Sequence, residues 1–375
     1  MTETSKSLRI ATFNIGLDQA RQKGELKYKL ENGGYAAAKK SAEIIQRINP
    51  DVLLINEIDG NDNGETLAQY LEKYLGKSQS DQPPLEYPYI YQPDCNTGVS
   101  SGVNFRGLEN SIDNYGFGHY PGQYCMALLS RYPILDNDIH SFQNLLWKSM
   151  PDALLPKLNG KNWYSADGLN NFRLSSKNHV DVPILVNGKK VNLLISHPTP
   201  PVFDGDEDSN GKRNHDEIKF WQHYINGNSA WMRDDNGKKV NGLGPDSRFV
   251  ILGDLNASTV EGDVTEHNGI RAITSLLHDP LMAEGFSELQ KSHLIPKRNG
   301  NITESDENQY SQYHTAHWGM RADYVLPSRF GMKTLTSGVY WPDQSSPQSY
   351  LVTGSSNTPS SSDHRLVWLD LAIVE

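Results

Sequence analysis

The chain has 375 residues, 37% of them hydrophobic and 21% charged, and 35 Lys and Arg against 45 Asp and Glu give a net charge of −10. That length supports a sizeable core without disulfide or metal staples, and that charge excludes a protein that coats nucleic acid through a broad basic face. Two cysteines, Cys95 and Cys125, exclude a disulfide scaffold or a cysteine-rich zinc fold, and two unpaired thiols are slightly preferred over a single bridge.

LRIATFN at 8–14 opens a series of short apolar runs, rich in β-branched residues, that read as buried strands. A helix is expected over 35–48, where Ala38, Ala42, Ile45 and Ile48 recur near helical spacing and Pro50 bars continuation. The strand DVLLINE (51–57), a helix over 66–75 and the strand MALLS (126–130) follow. The polar, aromatic stretches 92–124 and 140–178 are expected as long loops over a site. DVPILV (181–186) and VNLLIS (191–196) flank VNGKK (186–190), whose Asn-Gly pair predicts a hairpin with a type I′ turn. A helix is predicted over 215–225, with Asn214 as its cap and Ile218, Trp221 and Ile225 on one face. FVILGDL (249–255), a helix over 269–277, ADYVLP (322–327) and LVWLDLAIV (366–374) complete the series. Hairpins mixed with strand–helix–strand units imply mixed sheets with helices outside, an α/β sandwich in a single domain over 1–375. No run approaches the ~20 apolar residues of a membrane span. MTETSKSLRIATFN has no signal-peptide core, so the expected location is cytoplasmic if the chain is complete, and periplasmic or secreted if a signal peptide has been removed.

Several of these strands end in a polar group drawn from the same few types. Asn14 ends the first, Glu57 the second, His197 follows VNLLIS, and Asp254 and Asn256 follow FVILG. Asp323 opens YVLP, and Asp363 and His364 precede LVWLDL. Any one Asp or Asn is more simply a turn former, but Glu and His are not preferred turn residues, and strand ends are where a rigid scaffold aims side chains into one crevice. Glu57, Asp254, Asp323 and Asp363 are hard oxygen donors, a set that suits Mg²⁺ or Mn²⁺ and not zinc. Metal, carboxylate base and imidazole together describe phosphoryl hydrolysis by in-line attack of water. No GxSxG elbow, Walker A loop or dinucleotide fingerprint offers another chemistry. DGNDNG (59–64) matches half of an EF-hand loop, but Tyr70 stands where the bidentate Glu belongs, so a polar turn is expected, with Ca²⁺ only as a separate structural ion. The acidic segment DGDEDSNG (204–211) is expected as a solvated loop on the rim of the site.

With these residues in place the sequence resembles the endonuclease/exonuclease/phosphatase superfamily, the deoxyribonuclease I-like proteins. FN, NE, LLSRYP, SHPTPP, GDLN, ADYVLP and SDH arrive in the family's order from 12 to 364. NTGVSSG (96–102), YGFGHYPGQY (115–124) and FRLSSKNHVDVP (172–183) further resemble a bacterial branch that says little about substrate. The resemblance implies a four-layer αββα sandwich of two packed mixed sheets with a metal site between strand ends. It implies Glu57 as main metal ligand, flanked by Asn14 and Asp363, with Asp254 orienting or deprotonating water and Asn256 holding a phosphate oxygen. Asp323 would fix the tautomer of His364, which polarises the phosphoryl group or acts as acid, and His197 would help protonate the leaving oxygen. Gly16 stands where some branches carry Asp, which puts a tightly held second metal in doubt.

Arg131, Arg173 and Arg213 are candidate phosphate clamps, Arg173 and Arg213 being carried forward and Arg173 favoured. His179 and His215 are weaker candidates, His215 in a first helical turn. Nucleic acid, lipid head groups and small phosphoesters compete as substrates. LLWKSMPDALLP (145–156) is the candidate apolar surface for lipid, although core packing suits it better, and the long loops favour a substrate of limited size. A monomer is expected. The reading from another class is a phosphate-ligand or partner-binding protein on the same fold without chemistry.

Overall fold

The structure, a computed structural model, describes residues 7–17, 19–108, 112–301, 308–353 and 361–375. The strands of its two large sheets are, in chain order, β1 (Leu8–Asn14), β2 (Val52–Ile58), β3 (Tyr89–Tyr91), β4 (Cys125–Ser130), β5 (His140–Ser141), β6 (His179–Val186), β7 (Lys189–Ser196), β8 (Phe249–Asp254), β9 (Asp323–Pro327), β10 (Met332–Val339) and β11 (Val367–Ile373). The α-helices are α1 (Glu25–Glu31), α2 (Ala36–Ile48), α3 (Glu65–Tyr70), α4 (Ala166–Asn171), α5 (Ser209–Ile225) and α6 (Ala272–Leu277). One sheet runs β10-β11-β1-β2-β4-β3 and the other β9-β8-β7-β6-β5.

Strand alternation divides the apolar side chains between two cores. Ile10, Leu54 and Leu128 of the first sheet share a cluster with Val182, Ile195 and Ile251 of the second, and with Ile218 and Trp221 of α5. Ala11, Phe13 and Ile55 on the first sheet's other face pack against Ala42 and Ile45 of α2 and Leu67 of α3. The result is the helix–sheet–sheet–helix sandwich that the sequence implies.

Register decides where the strand ends lie. β1 and β2 are parallel, with Asn14 opposite Asn56. β7 and β8 are also parallel. β9 runs antiparallel to β8 and places Asp323 opposite Asp254, and β11 runs antiparallel to β1. The antiparallel strands therefore start at the edge where the parallel ones finish, and six polar strand ends from two sheets meet at one end of the sandwich.

Most predicted elements appear within a residue or two. The hairpin turn has Asn187 and Gly188 at φ of 50° and 77°, as a type I′ turn requires. α2 stops at Asn49, a left-handed residue whose N–H returns to Ile45 O, just before Pro50.

Some expectations need correction. α5 starts at Ser209, so Asn214 is not a cap. It is buried inside the helix and donates to Thr199 O and Leu255 O at 2.8 and 2.9 Å. His215 is likewise past the first turn. The second helix turns from α to π winding at Leu71–Leu75. Leu145, Trp147 and Met150 are buried, so 145–156 is core and not an exposed lipid-binding surface. Cys95 and Cys125 are joined in a disulfide, with Cα atoms 5.7 Å apart, contrary to the preference for free thiols. Among the described residues no helix is long and apolar enough to cross a membrane.

Candidate active site

One carboxylate oxygen gathers the site. Asp254 Oδ2, at the end of β8, accepts from Asn14 Nδ2 at 3.1 Å. It lies 3.3 Å from His197 Nε2 and 3.4 Å from His364 Nε2. Glu57 Oε1 lies 4.0 Å from the same His197 nitrogen. The other oxygen, Asp254 Oδ1, accepts the Asn256 N–H at 3.0 Å, while Asn256 Nδ2 donates to Pro198 O at 3.2 Å beside His197. Seven of the predicted residues, Asn14, Glu57, His197, Asp254, Asn256, Asp323 and His364, thus form one continuous cluster.

The backbone is strained where the cluster is aimed. Glu57 has φ of 60° at a register shift between Asn56 and Ile58 in the pairing with β4, and Asn256 has φ of 50°. A left-handed Glu costs of order 1 kcal/mol or more and persists only when surrounding contacts impose it. At Gly16, φ is 60° and an added Cβ would sit 3.1 Å from Ser362 Oγ. That hydroxyl donates to Asn14 O at 2.7 Å and accepts the His364 N–H at 3.0 Å. A side chain at 16 would therefore disturb the tie between the first and last site segments.

The two histidines sit in opposite environments. His364 Nδ1 is 2.9 Å from Asp323 Oδ2, which also accepts the Thr315 hydroxyl at 2.7 Å. Burial works against the imidazolium, but the charges of Asp323 and Asp254 prevail and hold the His364 pKa well above its ordinary value. His197 is brought down to about 4 by burial, reinforced by the charge of Lys177. Asp254 is held below the ordinary carboxylate range, because His364, His197 and the Asn14 amide outweigh its burial.

The donor set fits a hard cation. Glu57, His197 and Asp254 offer three ligand atoms within 4.8 Å of one another, and Asp254, Asp323 and His364 form an overlapping group. Asp323 in the second group is already engaged by His364 and Thr315, which leaves the Glu57 side as the better place for an ion. Asp363 is half-buried next in chain, and its carbonyl accepts the His317 N–H at 2.8 Å. Its carboxylate belongs to neither group. The EF-hand-like turn is occupied by protein donors: Asp62 accepts from Gly64 N at 3.0 Å and Thr66 N at 2.9 Å, and Asp59 accepts the Tyr120 hydroxyl at 2.8 Å.

A cavity of about 620 Å³ opens from Glu57 and His197 and is walled by Thr97, Phe117 and Tyr124 on one side and Pro200, Val202 and Phe203 on the other. The first wall belongs to the predicted loop 92–124. Cys95 and Cys125 bridge its two ends. Gly98, Gly116, Gly118 and Gly122 of this loop have no room for a side chain: a Cβ on Gly98, where φ is 69°, would lie 1.9 Å from Tyr120 O.

The arginines are placed elsewhere. Arg131 pairs with Asp51 Oδ1 at 3.2 Å, at the opposite end of the sheet. Arg173 Nη1 donates to Asn96 Oδ1 at 2.6 Å, and its guanidinium lies 3.8 Å over the Tyr115 ring. Arg213 reaches the cavity wall, but its Nε donates to Leu174 O and its Nη2 to Tyr115 O and Arg173 O. His179 Nδ1 lies 2.6 Å from Ser175 Oγ and His215 Nδ1 2.9 Å from Asp216 Oδ1, both buried. Two residues at the site carry no sequence signal of their own. Lys177, five per cent exposed, lines the cavity four positions after Arg173. Trp318 stands edge-on to the His364 ring at 5.0 Å.

Residues 11–364 match the sequence model of the Endonuclease/Exonuclease/phosphatase family. The chain belongs to that family. Members of the Endonuclease/Exonuclease/phosphatase family are mostly metal-dependent phosphoester hydrolases, which fits a carboxylate–imidazole cluster at strand ends. The fold is also that of solved structures. An endonuclease/exonuclease/phosphatase from Beutenbergia cavernae matches at 15% identity and TM-score 0.52, over 98% of this chain and 72% of its own. Sphingomyelinase C from Streptomyces griseocarneus matches at 14% identity and TM-score 0.50, over 98% of this chain and 99% of its own. A beta toxin variant from Staphylococcus aureus, solved with bound magnesium ions, matches at 14% identity and TM-score 0.47, over 99% of this chain and 100% of its own. No curated protein sequence matches the chain.

Proposed function

We propose that the protein hydrolyses phosphoester bonds by in-line attack of water, with a hard divalent cation, Mg²⁺ or Mn²⁺, held on the Glu57 side of the cluster by Glu57 with Asn14. The observation that carries this reading is the convergence of Asn14, His197 and His364 on Asp254 Oδ2 beside Glu57. When bound, the cation neutralises charge on the phosphoryl oxygens. Asp254 is ionised and acts as the base or orienter of water, and Asn256 holds a phosphoryl oxygen. Environment separates the histidines. His364, kept protonated by Asp323 and Asp254, polarises the phosphoryl group and is the group able to give up a proton. His197, kept neutral, donates a hydrogen bond to the leaving oxygen.

The walled cleft of about 620 Å³ supports a phosphoester of limited size over a long polymer, and the net charge of −10 gives a nucleic-acid strand no help. The Cys95–Cys125 bridge supports a periplasmic or secreted location, because disulfides persist in oxidising compartments. The test is hydrolysis of bis(p-nitrophenyl) phosphate and p-nitrophenyl phosphate with Mg²⁺, Mn²⁺ or chelator, beside Asp254→Ala. Metal-dependent cleavage lost in the variant supports the reading. Turnover of neither ester, together with no metal-induced rise in Tm, returns the non-catalytic binding protein to the front.

A further inference from the structure

Lys177 is the cation that the family motifs do not account for. It sits on the segment leading into β6, lines the cavity with Glu57 and His197, and is nearly inaccessible. A desolvated ammonium is costly unless anions face it. Glu217, Glu57 and Asp254 supply the attraction, Glu217 most strongly, with Arg213 opposing them. None of the three takes its proton directly: among the described residues the Lys177 ammonium has no hydrogen-bond or ion-pair partner. Glu217 is already engaged, one oxygen accepting Ser176 N and the other Thr199 N, each at 2.7 Å.

That double contact has a geometric effect. Ser176 precedes Lys177, and Thr199 lies two residues after His197. One buried carboxylate from α5 thus fixes the segments carrying the amine and the imidazole relative to each other. The Lys177 carbonyl is held as well, by Asn96 N at 3.0 Å. The main chain is fixed on both sides while the ammonium is left with unused donors at a cavity wall. Arg213, also at the cavity wall, commits Nε and Nη2 to carbonyls, and Arg131 and Arg173 are paired away from the cavity.

We propose that Lys177 is a substrate-binding residue whose ammonium donates to a non-bridging phosphoryl oxygen, and that Glu217 is the positioning residue that aims it. The inference rests on the phosphoester reading for its ligand. It assigns the anion-holding role to a point-charge donor, where the motifs suggested a guanidinium fork. A structural alternative, in which Lys177 merely neutralises Glu217, makes different predictions.

The test uses inorganic phosphate as the probe, titrated by calorimetry and ³¹P NMR into the Mg²⁺-supplemented full chain, with Lys177→Met, Lys177→Arg and Arg173→Met. Loss of one charge-assisted bond is expected to weaken phosphate binding about 10- to 100-fold in Lys177→Met. Lys177→Arg is expected to keep most of the affinity, and Arg173→Met all of it. The Tm of Lys177→Met should equal or exceed that of the wild type, since a buried charge has been removed. Undiminished phosphate affinity in Lys177→Met, or no phosphate binding by the wild type, would overturn the proposal. So would a lowered Tm with affinity unchanged, the signature of the structural alternative. Hydrolysis of bis(p-nitrophenyl) phosphate is measured separately. If the ester is never cleaved yet phosphate binding depends on Lys177, the hydrolase reading fails and this one stands.

Discussion

Replacing Asp323 with Asn isolates the electrostatic part of the His364 site. Asp323 Oδ2 accepts from Thr315 and faces His364 Nδ1, while Oδ1 is buried without a partner. An Asn side chain can place its oxygen where Oδ2 was and its NH₂ in the unpartnered position, so the shape and both hydrogen bonds survive. What is lost is charge. A hydrogen bond to a charged group contributes about 1.5–3 kcal/mol and a neutral one about 0.5–1.5, so the change weakens the pair by about 1–2 kcal/mol. At 1.36 kcal/mol per decade that is roughly a 5- to 30-fold loss in kcat/KM for a diester. For a chain of 375 residues the same energy shifts Tm by about 1–3 °C.

The pH dependence gives the sign. His364 has a folded pKa above its unfolded value of about 6.5, so its contribution to stability is fully present below that pH and is lost as pH rises through the folded value. The Tm advantage of wild type over Asp323→Asn should therefore be widest near pH 6 and shrink steadily toward alkaline pH. Calorimetry across pH 6–9 and ¹⁵N NMR of the His364 ring read the effect directly. A pH-independent Tm difference, with the same ring protonation in both proteins, would refute the electrostatic argument.

Other perturbations separate the remaining parts of the site. Mg²⁺ or Mn²⁺ at about 100 times its Kd should stabilise the fold by about 2.7 kcal/mol, and Glu57→Ala should abolish that rise in Tm. Reduction of the Cys95–Cys125 bridge, which spans a separation of 30 residues, should cost about 3.6 kcal/mol by chain-entropy reasoning, measured as a denaturation-midpoint shift with and without reductant. Gly98→Ala should destabilise by at least about 1–3 kcal/mol, because the left-handed φ and the contact with Tyr120 O leave no relief; an unchanged midpoint would contradict it. Arg131→Ala should leave turnover unchanged and cost about 1–2 kcal/mol, since it loses the pair with Asp51, the bond to Asn49 Oδ1 and the stacking on Tyr87.

The catalytic strands were legible because a strand buried on both faces is a continuous apolar run, and a polar residue at its end stands out. Glu57 and His197 were the clearest of these, being poor turn formers. β10 was not anticipated: Lys333, Thr334, Thr336 and Ser337 lie at a half-exposed sheet edge, so no apolar run marks it. The start of α5 was hidden because its first turn is held by a distant side chain, Asp204 Oδ2 accepting Asn210 N at 2.6 Å. Lys177 was obscured for a related reason. Two cations share one segment, and only the packing of Arg173 on Tyr115 and Asn96 decides which of them is left for the cavity. The disulfide could not be read from two cysteines 30 residues apart, since pairing depends on how the chain between them returns to β4.

That bridge is one of several ties that hold a wall of the cavity to the strands behind it. Cys125 opens β4, and between the two cysteines Asn96 N reaches Lys177 O, Tyr120 donates to Asp59, and Tyr115 O accepts from Arg213. Changes within this hoop are therefore felt by the segments that carry Glu57 and Lys177. A route to new substrate preference through this wall thus keeps Asn96, Tyr115 and Tyr120 and varies the exposed Phe117.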